Sequence, residues 1–169
     1  MRVTHIITRL IVGGAQENTL ASIAGLRQKP GLDLKLISGP TLGPEGSLEG
    51  EAQKLFGPAA TPASPKSDFI IVPDLVRPVH PLKDFFALRQ LEKTLRAQKP
   101  DLVHTHSGKA GVLGRLAAKR AGVPIIIHHL HGPSFGNFQG ALANFVFTAA
   151  EKYAARVTEH FFCSAAAMT

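Results

Sequence analysis

The chain has 169 residues and a net charge of +7, and its content of 44% hydrophobic and 18% charged residues excludes a disordered protein. Its single cysteine, Cys163, excludes a disulfide framework and favours a reducing compartment. No apolar run approaches the roughly 18 residues of a membrane-spanning helix, and we expect no secretory signal because Gly13 and Gly14 interrupt the first apolar run early.

Strand-like and helix-like patterns alternate along the chain. The predicted strands are Val3–Thr8, Leu34–Ser38, Ile70–Val72, Asp101–Thr105, Pro124–Leu130 and Thr158–Cys163. The predicted helices are Ala15–Gln28, Glu45–Phe56, Leu82–Lys99, Lys109–Ala121 and Phe138–Arg156. This alternation predicts an α/β fold, a Rossmann-like parallel sheet with helices on both faces. Ligands of such sheets bind beyond the carboxyl ends of the strands, so functional residues are expected in the loops that follow strands.

One stretch departs from this alternation. Residues 57–66 read GPAATPASPK, and six of the twelve prolines fall between Pro58 and Pro81. Large apolar residues are absent from the stretch. We therefore expect a flexible surface excursion, poorly ordered from Pro58 to Lys66.

The positive charge is concentrated in one part of the chain. Between Arg77 and Arg120 there are ten Lys or Arg residues and three acidic residues, which accounts for the whole net charge. This favours either an anionic partner, such as a membrane surface or a phosphorylated molecule, or basic helix faces in solvent. Nucleic acid is disfavoured, because the chain has one Tyr, no Trp and no interleaving of basic and aromatic residues.

Two adjacent glycines, Gly13 and Gly14, follow the first strand and precede a helix. Glycine lets a backbone approach a ligand closely, and the free N–H groups at a helix start suit a phosphate. The pattern is not the G-x-G-x-x-G fingerprint. Either a phosphate-binding turn or a simple bend of the chain fits it.

The fourth strand leads into His106, Ser107 and Lys109. Ser107 is a predicted N-cap for the next helix. Lys109 then lies in the first helical turn, where a cation opposes the helix dipole unless an anion is bound nearby. The segment is not a P-loop, because Val103 and Ala110 occupy two of its defining positions. An anion site and an ordinary capped helix with a solvated lysine both fit.

Five of the eight histidines fall at the ends of two successive strands: His104, His106, His128, His129 and His131. Imidazole is the commonest metal ligand. However, the only acidic residue near these motifs is Asp101, and a catalytic zinc site needs three convergent ligands. We predict no metal here, and simple packing inside the sheet for His104 and His128.

The last predicted helix, Phe138–Arg156, has apolar residues on nearly all sides. Packing in the core, burial in a domain interface and contact with a membrane are all compatible with that pattern. The pattern alone does not distinguish among them.

These residues together resemble the N-terminal domain of glycosyltransferase family 4, the retaining enzymes of the two-domain GT-B fold. The resemblance covers the whole chain and is carried by His5–Leu10 with Gly13–Thr19, Gly43–Leu48, Pro100–Ser107 and His131–Gly132.

The resemblance implies a role for each matching residue. Gly13 and Gly14 approach the diphosphate of a nucleotide-sugar donor. His131 lies beside the donor sugar at the reacting centre, and Gly132 permits the tight turn there. The acceptor side is formed by His106, Ser107 and Lys109, with Arg9 as a further candidate.

The resemblance also implies an activity: transfer of a sugar from a nucleotide diphosphate to an acceptor hydroxyl, with retention of anomeric configuration and without a metal cofactor. The acceptor is expected to be a lipid-linked or phosphorylated sugar of envelope polysaccharide synthesis. The expected location is the cytoplasm, peripherally at the inner face of an anionic membrane. Residues 1–169 are the acceptor-side domain only, so without the donor-binding C-terminal domain we expect this chain to be inactive.

Other classes stay open. A stand-alone module that binds a nucleotide or sugar phosphate would use the same turns without catalysis. An inverting transferase of the same fold would need a base, for which Glu17 and His131 are candidates, and a nucleotide-sugar epimerase is similar. A metal-dependent hydrolase that uses the histidines would contain stoichiometric metal.

Overall fold

The computed structural model describes residues 1–106, 108–132 and 140–164. These residues form six strands: β1 (Arg2–Ile7), β2 (Asp33–Ser38), β3 (Phe69–Ile71), β4 (Leu102–His106), β5 (Ile125–Leu130) and β6 (His160–Cys163). Five helices alternate with them: α1 (Gly14–Arg27), α2 (Glu49–Phe56), α3 (Pro81–Gln98), α4 (Gly108–Ala121) and α5 (Ala141–Ala155). No helix in the described part of the chain is long and apolar enough to cross a membrane.

The strands form one parallel sheet in the order β3-β2-β1-β4-β5-β6, which confirms the predicted fold class. The chain runs outward from β1 through β2 to β3, then crosses back to place β4 on the other side of β1. The strand order therefore reverses between β1 and β4. In open parallel sheets ligands bind at such a switch point, beyond the carboxyl ends of the strands.

Two hydrophobic cores lie on opposite faces of the sheet. One packs α3 and α4 against alternate strand residues such as Ile6, Val103 and Ile126. The other packs α1 and α2 against the intervening residues, such as Val3, Ile7 and Leu36. Successive strand residues point to opposite faces, and helices cover both faces. Most strand positions are therefore buried, which explains why the strands are nearly continuous apolar runs.

The third helix has strong local signals at both ends. His80 caps its start by accepting a hydrogen bond from the Lys83 N–H at 3.3 Å, and Pro81 occupies the first turn. Lys99 closes the other end with a left-handed conformation (φ 50°), and Pro100 follows. Because both ends are encoded locally, this helix begins and ends within one residue of its predicted bounds.

The second helix begins later than predicted. We expected Glu45–Phe56, but α2 starts at Glu49. Gly43 and Gly46 have φ values of 126° and 78°, which a right-handed helix excludes, so these residues form a loop instead. The Leu48 N–H reaches back to the Leu10 carbonyl at 2.7 Å and fixes that loop against the end of β1.

The proline-rich stretch also differs from its prediction. Part of the expected excursion from Pro58 to Lys66 joins the edge of the sheet, where Ala60 forms a parallel bridge with Ile70. The Ala60 N–H donates to the Phe69 carbonyl at 2.9 Å, and the Ala60 carbonyl accepts from Ile71 at 2.8 Å. The edge strand β3 has unpaired backbone groups on its outer side, and these hydrogen bonds satisfy two of them.

Candidate active site

A cluster of imidazoles covers one face of the sheet at the switch point. It contains His5 of β1, His104 and His106 of β4, His129 of β5, and His131 just after β5. The register aligns His5 with His104, and His106 with His129, so their side chains leave the same face. The rings of His104 and His106 contact each other at a tilt of 34°, with centroids 4.1 Å apart, and His129 and His131 stack at 3.9 Å.

Hydrogen bonds connect three of these rings in a row from the interior to the edge. His5 Nδ1 lies 3.0 Å from His106 Nε2, and His106 Nδ1 lies 3.1 Å from His131 Nε2. At the outer end, Ser164 Oγ lies 3.5 Å from His131 Nδ1 and 2.9 Å from His129 Nε2. We call the series His5–His106–His131 the histidine row.

Burial keeps these imidazoles neutral. It lowers the pKa of His5 to about 4 and the pKa of His106 well below its usual 6.5. Burial, with repulsion from neighbouring imidazoles, lowers the pKa of His104 to about 3 and that of His131 to about 4. At neutral pH each ring therefore has one N–H donor and one lone pair.

Two overlapping groups in the cluster have the ligand spacing of a metal site. In each group the candidate nitrogens lie within 4.8 Å of one another: His5 with His104 and His106, and His106 with His129 and His131. Neutral imidazoles suit zinc-like ions. Neither group includes a carboxylate, so a bound dication would keep its full charge in a half-buried setting. The absence of a metal stays a prediction.

His128 lies on the opposite face of β5. Its ring contacts Thr105 Oγ1 at 2.9 Å through Nδ1, and it fits against Gly111 of α4. A Cβ atom at Gly111 would lie 2.5 Å from His128 Cε1. His128 is thus packed between the sheet and α4, as expected. His104 instead joins the cluster on the opposite face of β4 and β5, which we call the open face because it is turned away from α4; the face that α4 packs on is the covered face.

The glycine turn after β1 opens α1. Gly13 is the N-cap residue and has no side chain to cap the helix, so N–H groups at the helix start lack a side-chain acceptor from that residue. A Cβ atom at Gly14 or Gly132 would meet nothing within 4 Å in the described part of the chain. Packing therefore does not require glycine at either position, and both leave room for a ligand.

The acceptor-side candidates have partners within the chain. Arg9 pairs with Glu45 at 3.1 Å. Lys109 pairs with Asp84 at 2.5 Å and also contacts the Pro78 carbonyl. Lys109 is thus neither a solvated lysine nor an unpaired cation at the helix start. Ser107 lies outside the described residues.

Sequence reasoning missed His5 and Ser164, which lie at the two ends of this network. His5 belongs to a first strand whose position beside β4 is not visible in the sequence. Ser164 follows the last strand, and its hydroxyl reaches His129 only because β6 pairs with β5.

Known structures share this fold over nearly the whole chain. MurG from Acinetobacter baumannii superimposes with a TM-score of 0.59 at 17% identity, covering 96% of this chain and 40% of MurG. The UDP-GlcNAc 2-epimerase of Methanocaldococcus jannaschii gives 0.61 at 15% identity, covering 98% and 40%. The sheet and these likenesses define the class as a Rossmann-like α/β domain of the GT-B type.

The chain belongs to the family described as the glycosyl transferase 4-like domain, whose model matches residues 13–169. It is 41% identical over 92 residues to the UDP-Gal:alpha-D-GlcNAc-diphosphoundecaprenol alpha-1,3-galactosyltransferase of Escherichia coli, covering 54% of this chain and 24% of that protein.

A second relative is the UDP-N-acetylglucosamine--N-acetylmuramyl-(pentapeptide) pyrophosphoryl-undecaprenol N-acetylglucosamine transferase of Streptomyces collinus. It is 30% identical over 155 residues, covering 90% of this chain and 36% of that protein. The chain thus spans about a third or less of the length of either relative.

Proposed function

We propose that the protein containing this domain transfers a sugar from a nucleotide-diphosphate donor to a sugar on a polyprenyl diphosphate, in envelope polysaccharide synthesis. The observation that carries the proposal is the family membership, with two relatives whose names specify a UDP-sugar and an undecaprenol diphosphate. In this proposal residues 1–169 form the acceptor-side domain, and a separate C-terminal domain binds most of the donor. The chain alone is then inactive.

The geometry of the sheet edge supports a donor site at the switch point. The Gly13-Gly14 turn follows β1, and the row reaches the same edge at His106 and His131 because β1, β4 and β5 are parallel neighbours. In the proposed complex the diphosphate lies against Gly13 and Gly14. The donor sugar lies beside His131, and Gly132 leaves space for it.

The acceptor is proposed to approach from the side of His106, Ser107 and Lys109. Lys109 already neutralises Asp84. A phosphorylated acceptor would therefore compete with that carboxylate for the ammonium group. Arg9 is held by Glu45 in the same way. The catalytic contribution of the domain is positioning and stabilisation of negative charge on the leaving diphosphate, without a metal.

Exposed apolar side chains on two helices form a candidate surface for binding a membrane that carries a lipid-linked acceptor. The first turns of α3 and α5 expose large apolar side chains: Leu82, Phe85, Phe86, Leu142, Phe145 and Val146. Both helices run antiparallel to the strands and so begin near the carboxyl edge of the sheet. Lys83 and Arg89 are exposed on α3 among these residues. We propose peripheral binding to the cytoplasmic face of an anionic membrane through this surface.

Transfer is tested with the complete gene product, labelled UDP-sugars and a polyprenyl-diphosphate-linked sugar. We expect a product that retains the donor's anomeric configuration, and no product from the 169-residue chain alone. His131→Ala should lower the rate by about a hundredfold or more, the typical loss for a group that stabilises transition-state charge. His160→Ala is the matched control, because His160 is exposed on β6.

Each contrary outcome has a distinct meaning. An inverted product would replace the retaining mechanism with one that uses a base. Interconversion of UDP-sugars without transfer would favour an epimerase, and turnover by the short chain would contradict its proposed inactivity.

Membrane binding is tested by co-sedimentation with vesicles. We expect binding to anionic vesicles that weakens with salt, since surface charges are screened within about 10 Å at moderate ionic strength. Leu82→Ser with Phe85→Ser should weaken binding, whereas Leu26→Ser on α1 should not, because Leu26 is exposed on the other side of the sheet. Equal binding to neutral and anionic vesicles would contradict the electrostatic part of the proposal.

A further inference from the structure

The histidine row connects the buried interior of the domain to its candidate reacting centre. His5 and His106 are fully buried, whereas His131 lies half-buried at the edge. The two nitrogen–nitrogen contacts, at 3.0 and 3.1 Å, have ordinary hydrogen-bond lengths. Because each neutral ring has one donor and one acceptor, every contact in the row needs one ring to donate and the next to accept.

The buried end sets the direction of these bonds. His5 Nε2 is buried and has no hydrogen-bond partner among the described residues. A buried N–H without an acceptor is rare and costly, whereas an unused acceptor is tolerated more readily. The proton of His5 therefore belongs on Nδ1, from which it is donated to His106 Nε2.

The donor and acceptor of the remaining hydrogen bonds in the histidine row then follow. His106 Nε2 accepts, so its own proton is on Nδ1 and is donated to His131 Nε2. That leaves the proton of His131 on Nδ1, which faces the Ser164 hydroxyl at the open edge. The Ser164 contact, at 3.5 Å, is long, so this N–H is available to an incoming oxygen atom.

We propose that His5 and His106 are positioning residues that hold His131 in the Nδ1–H tautomer, so that His131 donates a hydrogen bond to an oxygen of the bound substrate. The oxygen is a hydroxyl of the donor sugar or an oxygen of its phosphate. The inference rests on the proposed function for the identity of that substrate. The tautomer itself depends only on the row.

This arrangement also bears on the reaction type. The lone pair of His131 Nε2 is occupied by the His106 N–H. For His131 to offer a lone pair from Nδ1 as a base, all three rings would have to exchange tautomers, and the proton of His5 would move to the unpartnered Nε2. The row thus favours a donor role for His131 over a base role, in agreement with a retaining rather than an inverting transferase.

A matched control lies one strand away. His104 is on the same face as His5 and its ring contacts that of His106. Its Nε2 is also buried without a hydrogen-bond partner among the described residues. It contributes none of the hydrogen bonds of the row. A change at His104 therefore perturbs packing and electrostatics near His106 but leaves the direction of the row intact.

The test is the tautomer of each ring in the 169-residue chain, labelled with ¹⁵N-histidine and observed by long-range ¹H–¹⁵N correlation at neutral pH. We expect Nδ1–H to predominate on His106 and His131 by about tenfold or more, because the opposite direction leaves a buried N–H unpaired. His5→Asp, which places an acceptor at the position of the imidazole Nδ1, should reverse both rings to the Nε2–H form, whereas His5→Leu leaves His106 Nε2 as a buried unpaired acceptor and should keep the Nδ1–H form. His106→Leu removes the N–H that donates to His131 Nε2 and should give mixed tautomers on His131.

His104→Leu should leave the tautomers of His106 and His131 unchanged. Predominant Nε2–H on His131 in the unmodified chain would overturn the inference, as would a His131 signal that does not respond to His5→Asp. Stoichiometric zinc in the purified chain would also overturn it, since metal ligation would occupy the same lone pairs. If the tautomers are as expected but the complete protein transfers no sugar, the result would contradict the proposed function and leave this inference standing.

Discussion

Histidines lie on both faces of β4 and β5, and the two faces use them differently. On the face covered by α4, His128 is enclosed by the helix backbone at Gly111 and bonds to Thr105. On the other face, the clustered imidazoles bond to one another, and their sheet neighbours Ile125 and Phe162 are exposed. The covered face holds its histidine as part of the core, and the open face presents a row of them.

The comparison shows that a lowered pKa does not separate a structural from a functional histidine. Burial lowers the pKa of His128 to about 3 and that of His131 to about 4. What differs is the partner of each ring. His128 bonds to a threonine of the neighbouring strand and packs on a helix, whereas His131 bonds to another histidine and lies 3.5 Å from the hydroxyl of an exposed serine.

The largest loss of stability is expected from a substitution at Arg115, on the covered face. Its side chain is fully buried, pairs with Glu151 of α5 and donates to the Gly111 carbonyl at 2.7 Å. We expect Arg115→Met to lower the free energy of unfolding by about 3–5 kcal/mol, because Glu151 would keep a largely buried and unpaired charge. Urea unfolding followed by circular dichroism measures it.

The open face provides the control for that experiment. His129→Ala removes a half-buried ring and one hydrogen bond to Ser164, which should cost only about 1 kcal/mol. Adding Glu151→Gln to Arg115→Met should recover part of the loss, since no unpaired charge then remains. Equal costs for Arg115→Met and His129→Ala would show that the two faces do not differ as described.

The fold was predictable from the sequence because its signals are local. Hydrophobic runs, glycines and prolines located all eleven elements, and the structure moves most of their ends by only one or two residues. The helix predicted from Phe138 begins at Ala141 in the structure, and its first two predicted residues lie outside the described part of the chain. The largest shift, four residues at the start of α2, depends on Gly43 and Gly46. Glycine is compatible with both a helix start and a left-handed loop, so the choice depends on contacts with β1 that are distant in sequence.

The candidate site was only half predictable, because it depends on which strands are neighbours. The histidines at the ends of β4 and β5 form a visible cluster in the sequence, but His5 joins them only because β1 lies beside β4. Lys109 shows the same limit, since its partner Asp84 lies 25 residues earlier in the chain. A helical pattern indicates that a lysine is near a helix start, but it does not show that a carboxylate on the preceding helix lies beside it.

A smaller effect is expected at the contact between Gly111 and His128. Gly111→Ala would place a methyl group 2.5 Å from the ring carbon Cε1, and the ring is held by Thr105 and cannot move freely. We expect a loss of about 2 kcal/mol in stability from overpacking, measured by urea unfolding. Gly25→Ala in α1 is the control. Nothing lies within 4 Å of its added methyl group, so it should stabilise the chain by about 0.5–1 kcal/mol. A neutral Gly111→Ala would contradict the enclosure of His128.

The smallest effect is the change in stability with pH that His5, on the open face, contributes. The pKa of His5 is lowered from 6.5 to about 4 by burial, so the unfolded chain takes up a proton at this residue before the folded chain does. The stability that His5 contributes is therefore full above about pH 6.5, falls as the pH drops from there and stops falling below about pH 4. Between about pH 7 and pH 5.5 the contribution of His5 is about 1 kcal/mol. His5→Leu should remove that part of the pH dependence, as seen by comparing urea midpoints of the two chains at both pH values. Parallel pH dependences would mean that His5 is protonated equally in the folded and unfolded states. The claim that burial keeps His5 neutral at the inner end of the histidine row would then be wrong.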